Sequence, residues 1–157
     1  MEAKDYGEIL KLVPGFDFIE VTGGVHGEAL KPKPLKHFPK QLSEAQKRTL
    51  RGYYESLSKD YEFKPMYNLE YARIIKVANP NLKISLVGGI RKQLEMNQLI
   101  ESGDADFVSF GRPFIRQPQL VKDLADGAKR VDCIDCGMCI AFLAEFPPSR
   151  CFMKDIH

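Results

Sequence analysis

The stretch from Ile84 to Pro113 constrains the fold of this chain more than any other. It reads Ile84-Ser-Leu-Val-Gly-Gly-Ile, then an amphipathic helical run, then Asp106-Phe-Val-Ser-Phe-Gly-Arg-Pro. Two short apolar strands each end in glycine, and a helix joins them. Strands linked by a crossover helix run parallel, since only antiparallel neighbours can be joined by a tight turn. Both glycine turns, Gly88-Gly89 and Gly111-Arg112, are therefore expected at one edge of one sheet. Backbone N–H groups that glycine leaves uncovered at such an edge suit a phosphate. Arg112 would add charge-assisted donors.

The rest of the chain fits around that unit. Residues 5–13 read as a short helix with Ile9, Leu10 and Val13 on one face, stopped by Pro14-Gly15. Phe16 to Val21 alternates into a strand that ends in Thr22-Gly23-Gly24. A helix that feeds a parallel strand implies a strand before it. Residues 25–41 carry three prolines, His26, His37 and Lys31, Lys33, Lys36 and Lys40, and read as a long solvated loop. Ser43 is the predicted N-cap of a helix over 44–57, weakened by Gly52. Asn68 to Ala78 is a further helix with Leu69, Ala72, Ile75 and Val77 or Ala78 as its apolar side, closed by Asn79-Pro80-Asn81. Arg91 to Ser102 is the crossover helix, with Leu94, Met96, Leu99 and Ile100 as its inward candidates and Gly103 as its stop. A last helix begins at Gln117-Pro118 and runs to Gly127. Tyr53, Tyr54, Tyr61 and Tyr67 cluster around the middle helices and read as packing residues.

This alternation predicts a parallel α/β sheet. Three strands leave two sheet edges unpaired, which implies a segment of a larger barrel or a chain that associates to complete one. Residues 1–128 read as that segment, and 129–157 as a cysteine-rich tail. The chain has 157 residues, enough for one domain with a core. A formal net charge of +2 argues against nucleic acid or an anionic membrane as partner. No run reaches the roughly 20 apolar residues of a membrane span, and the N-terminus lacks an apolar secretory core. The expected setting is cytoplasmic and reducing.

All four cysteines, Cys133, Cys136, Cys139 and Cys151, fall in the last 25 residues. In a reducing setting such a cluster favours metal or redox chemistry over disulfides. Three thiols on one tight loop and a fourth after eleven intervening residues suit a [4Fe–4S] cluster or zinc, and free thiols remain open as well.

From Leu82 to Pro118 the residues resemble the end of the NADH:flavin oxidoreductase, or old yellow enzyme, family. The motifs are Val87-Gly-Gly-Ile-Arg and Gly103-Asp-Ala-Asp-Phe-Val-Ser-Phe-Gly-Arg-Pro-Phe-Ile-Arg-Gln-Pro. Phe16-Asp-Phe-Ile-Glu-Val-Thr-Gly-Gly is similar to that family's sixth barrel strand, and Ile84–Val87 and Asp106–Phe110 to its seventh and eighth. The resemblance implies a partial (β/α)8 barrel that holds FMN, takes hydride from NAD(P)H and reduces an activated alkene or a similar small-molecule acceptor. It places the FMN phosphate on Gly88, Gly89, Gly111 and Arg112. The family's first five strands, which carry most flavin-ring contacts, have no counterpart here, and His26 and His37 do not replace the missing histidines. A catalytically incomplete remnant or assembly module is thus the alternative, with a homo-oligomer or a complementary chain as the implied partner. The cysteines resemble those of the 2,4-dienoyl-CoA reductase branch, whose set holds [4Fe–4S], with one residue fewer in the second gap.

Overall fold

The computed structural model describes residues 3–13, 15–22, 32–57, 62–143, 145–146 and 150–156. Gly23, Gly24, His26, Lys31 and Tyr61 lie outside them. The chain divides into two compact units. The first holds the described residues up to Thr22, Lys64–Phe110 and Gly127–Arg130, and the second holds the others.

The first unit is a three-stranded parallel sheet. Helix α1 (Ala3–Leu12) precedes β1 (Phe18–Val21), α3 (Leu69–Ala78) precedes β2 (Lys83–Val87), and α4 (Gln93–Glu101) leads to β3 (Phe107–Ser109). The order is β1-β2-β3, with Val21 beside Leu86 and Val87 beside Ser109. Helix α1 packs on α3 at Gly7, where an added Cβ would sit 3.0 Å from the Ala78 Cβ, and α3 packs on β2. Val21, Ile84, Leu86, Ala72, Ile75, Met96 and Leu99 are buried. Leu94 and Ile100, also expected inside, are exposed, and of the alternatives Val77 and Ala78 it is Ala78 that is half-buried while Val77 is exposed. Ile100 directly follows the buried Leu99, and at about 3.6 residues per turn successive side chains cannot both face the sheet.

The sheet's open face follows the same parity. Ile19 and Val21, with Ile84, Leu86 and Val108, share one face by register. Phe18 and Phe107 share the other, 53% and 46% exposed, with their rings edge to face at 5.7 Å. Ser85 and Ser109 also lie on that face, with hydroxyls 2.6 Å apart.

Two carboxylates tie helix to sheet in this unit. Asp104 receives two hydrogen bonds from the Arg73 guanidinium at 2.7 and 2.8 Å. Asp106 accepts from Lys76 Nζ and from the Ile84 backbone N–H, each at 2.8 Å. The Lys76 bond, followed by the Ile84 bond, holds the Asp106 carboxyl below the ordinary carboxylate range. A carboxylate so depressed stabilises the fold at pH values above its unfolded pKa of about 4, and that stabilisation is lost as pH falls through the lower folded value. Asp106→Asn is expected to flatten the acid limb of stability below about pH 4, read by urea melts across pH. An unchanged limb would remove Asp106 from that account.

The second unit is built around a different core. Helix α2 (Glu44–Glu55) starts in a capping box: Ser43 Oγ accepts from the Gln46 N–H at 3.2 Å, and Gln46 Oε1 accepts from the Ser43 N–H at 2.9 Å. A short helix, α5 (Arg112–Arg116), precedes the predicted helix after Gln117, which forms as α6 (Leu120–Ala125). Pro113 suits the start of α5, since proline fits the first turn of a helix. Helix α7 (Met138–Ala141) and a 3-10 helix (Phe152–Ile156) complete the unit. Leu42 and Leu50 from the first half pack with Cys136, Met138, Phe142 and Phe152 from the tail. Phe142 stacks edge to face on Phe152 at 4.8 Å and on Phe146 at 5.3 Å. The tail is therefore half of a hydrophobic core. No helix among the described residues is long and apolar enough to cross a membrane.

Candidate functional site

In the first unit β2 and β3 run parallel and end together, Val87 beside Ser109. Residues Gly88 and Gly89 leave the sheet there with φ of +125° and +69°. Both angles lie where side chains with a Cβ are disfavoured. The underside of the turn is filled. A Cβ on Gly88 would sit 2.6 Å from the Tyr67 ring and 2.9 Å from Asn68 Nδ2, and one on Gly89 would sit 3.1 Å from the Met66 N. Met66 itself has φ +52°, a costly angle for a residue other than glycine. Segment 64–68 is thus pressed against the glycine turn. Asn68 Nδ2 donates to the Val87 carbonyl at 2.7 Å.

Glycine is required at 88 and 89 by packing and backbone angle, whatever the turn binds. What bears on a ligand is the donor set. Among the described residues the N–H groups of Gly88 and Gly89 make no backbone hydrogen bond outside the helix and strand ladders. The same holds for Gly111 in the second unit. There φ is −97° and a Cβ would meet nothing within 4 Å. Gly111 is therefore the one glycine of the predicted set that neither a positive φ nor packing demands.

The Arg112 guanidinium is committed elsewhere in its unit. Its NH2 lies 3.1 Å from Asp135 Oδ1, with the two side chains 9% and 3% exposed. Its NH1 reaches the Asp135 carbonyl at 3.5 Å. Asp135 has φ +60° and accepts from the Lys33 N–H at 2.8 Å through the same carbonyl. A charge-assisted bond from the Arg112 guanidinium to a phosphate would compete with this buried ion pair.

That loop is tightly held. Gly137 has φ +76° and an added Cβ would sit 2.8 Å from Pro32 and 2.9 Å from Tyr53. Tyr54 donates its hydroxyl to the Cys136 carbonyl at 2.7 Å, and burial raises the Tyr54 pKa. The four cysteines are free thiols, and Arg116 NH1 lies 3.9 Å from Cys151 Sγ. Burial pushes the Cys136 and Cys139 thiols up to about 11. Cys133 and Cys151 are close enough to both to raise them further, while Arg112 opposes the rise at Cys139. Among the described residues no three His, Cys, Asp or Glu side chains are gathered so as to hold a metal ion.

Of the remaining candidates, His37 lines an open groove of about 530 Å³ with Lys36, Arg51 and Tyr54, in which Arg51 lies over the Phe38 ring at 5.7 Å. Sequence reasoning missed Asn68 and Asp135. Asn68 was read only as the start of a helix, and nothing local marks Asp135 as the partner of an arginine 23 residues away.

No protein-family model matches the chain. Over 123 residues it is 31% identical to the NADH-dependent flavin oxidoreductase iliE of Neonectria sp. (strain DH2). The match covers 77% of this chain, which spans 14% of that relative's length. The likeness is to a flavin oxidoreductase family and singles out no branch of it.

Proposed function

We propose that the chain is a flavin-binding segment of an NADH-dependent flavin oxidoreductase, and that its ligand is FMN held by the phosphate. One observation carries the reading: two parallel strands end side by side, and the N–H groups of the buried Gly88-Gly89 turn after β2 have, among the described residues, no backbone partner outside the ladders. A phosphate there would be held by backbone dipoles, with no Cβ in the way. The resemblance extends the same role to the backbone of Gly111 and Arg112. With its guanidinium on Asp135, Arg112 would serve through its N–H.

Bound FMN would supply hydride acceptance from NADH and transfer to an acceptor. The residues of this chain hold the phosphate and fix the turn. The described strands leave β1 and β3 at open sheet edges, so the contacts to the flavin ring fall to residues outside them, in a longer chain, another copy or a complementary chain.

Titration with FMN, followed by flavin fluorescence and visible absorption, tests the proposal. Saturable binding is expected, with FMN preferred over riboflavin by about tenfold or more, the value of one or two charge-assisted bonds. A chain that develops no flavin spectrum, or that binds FMN and riboflavin equally, would refute it.

A further inference from the structure

Asn68 stands out as a buried polar side chain with one end used and the other left over. It is 1% exposed. Its Nδ2 bonds the Val87 carbonyl at 2.7 Å, while among the described residues nothing donates to its Oδ1, which is fully buried. A buried carboxamide oxygen without a donor is costly. An apolar side chain of the same size would avoid that cost. What the amide contributes is therefore the bond from Nδ2, which fixes the last carbonyl of β2 at the point where the chain turns into Gly88. Next to it the Tyr67 ring and the Met66 backbone close on Gly88 and Gly89 from below. Asn68 is itself anchored as the residue before α3, whose first turn is tied back by the Ala72 N–H to the Asn68 carbonyl at 3.1 Å.

We infer that Asn68 is the positioning residue of the glycine turn, holding the N–H groups of Gly88 and Gly89 in the orientation that receives a phosphate. This rests on the phosphate reading above. It adds that recognition of the anion is set from beneath the turn, by a residue that does not touch the ligand. The effect is specific: Asn68 governs how well the turn binds phosphate and leaves the rest of a flavin's contacts unchanged.

The test compares FMN with riboflavin on the full chain, for the natural protein and for Asn68→Leu and Asn68→Asp. Leucine keeps the volume and removes the donor. Aspartate keeps the shape and puts an acceptor against the Val87 carbonyl. Both variants are expected to lose about tenfold in FMN affinity and less than about twofold in riboflavin affinity. A parallel loss of both ligands, or no loss of either, would overturn the inference, as would failure of both variants to fold, which would make Asn68 a residue of the core alone. Should the natural protein itself not prefer FMN, the phosphate reading falls and this inference with it. Should it prefer FMN and the variants keep that preference, only the role of Asn68 falls.

Discussion

Asp135→Asn is expected to destabilise the second unit by about 3–5 kcal/mol, the usual result of leaving one member of a buried ion pair alone. The substitution is close to a pure charge deletion. Asparagine has the same shape and tolerates the left-handed backbone that Asp135 adopts at φ +60°. The Lys33 N–H keeps its bond to the residue's carbonyl, since the backbone is unchanged. What remains is a guanidinium 9% exposed without its carboxylate. Urea unfolding of the single variant, of Arg112→Met, and of the pair measures the coupling. The double variant should recover much of the loss, because replacing a buried pair by apolar groups is often neutral. A single-variant loss under about 1 kcal/mol would show that Arg112 finds other compensation.

Gly88→Ala should be nearly as damaging, and its contrast with Gly111→Ala separates two kinds of glycine. At position 88 a methyl group meets a φ of +125° and ring atoms of Tyr67 at 2.6 and 2.9 Å. Backbone strain and overpacking together are worth roughly 2–5 kcal/mol. At position 111 a methyl meets open space and an ordinary φ. Stability there should change by less than about 0.5 kcal/mol. Under the proposed function, Gly111→Ala should nevertheless weaken FMN binding. Thermal melts and FMN titration on the same two variants read both effects, and equal destabilisation at both positions would contradict the geometry.

The parts of this fold legible in the sequence were those set by local rules. Ser43 and Gln46 cap α2 through a contact three residues long, and Gly103 stops the crossover helix at φ +73°, as its position predicted. The Ile84–Ser109 unit emerged as two parallel strands because a helix between two apolar runs leaves little alternative. What escaped depended on distant partners. The exposed rings of Phe18 and Phe107 follow from sheet parity, which a four-residue strand with apolar residues on both faces does not reveal. Arg112 carries the charge a phosphate site would want, yet its guanidinium answers to Asp135. The tail's cysteines advertise ligand spacing, while Cys136 is packed among Leu42, Leu50 and Phe142. Gly88 was identified correctly for a turn, but its neighbour across the turn, Tyr67, was visible only as one tyrosine among several.

The interleaving of the two units has a consequence for inheritance. The chain alternates between them in six stretches. No single cut therefore yields either unit whole. A protein shortened after Ala128 would lose Cys136, Met138, Phe142 and Phe152 from the apolar cluster and leave Leu42 and Leu50 with no apolar partner from the tail. The cysteine loop could not be discarded, or grafted onto a neighbouring gene, as a detachable accessory. Any lineage that kept the glycine turns and rebuilt the tail would have had to replace that core in the same step.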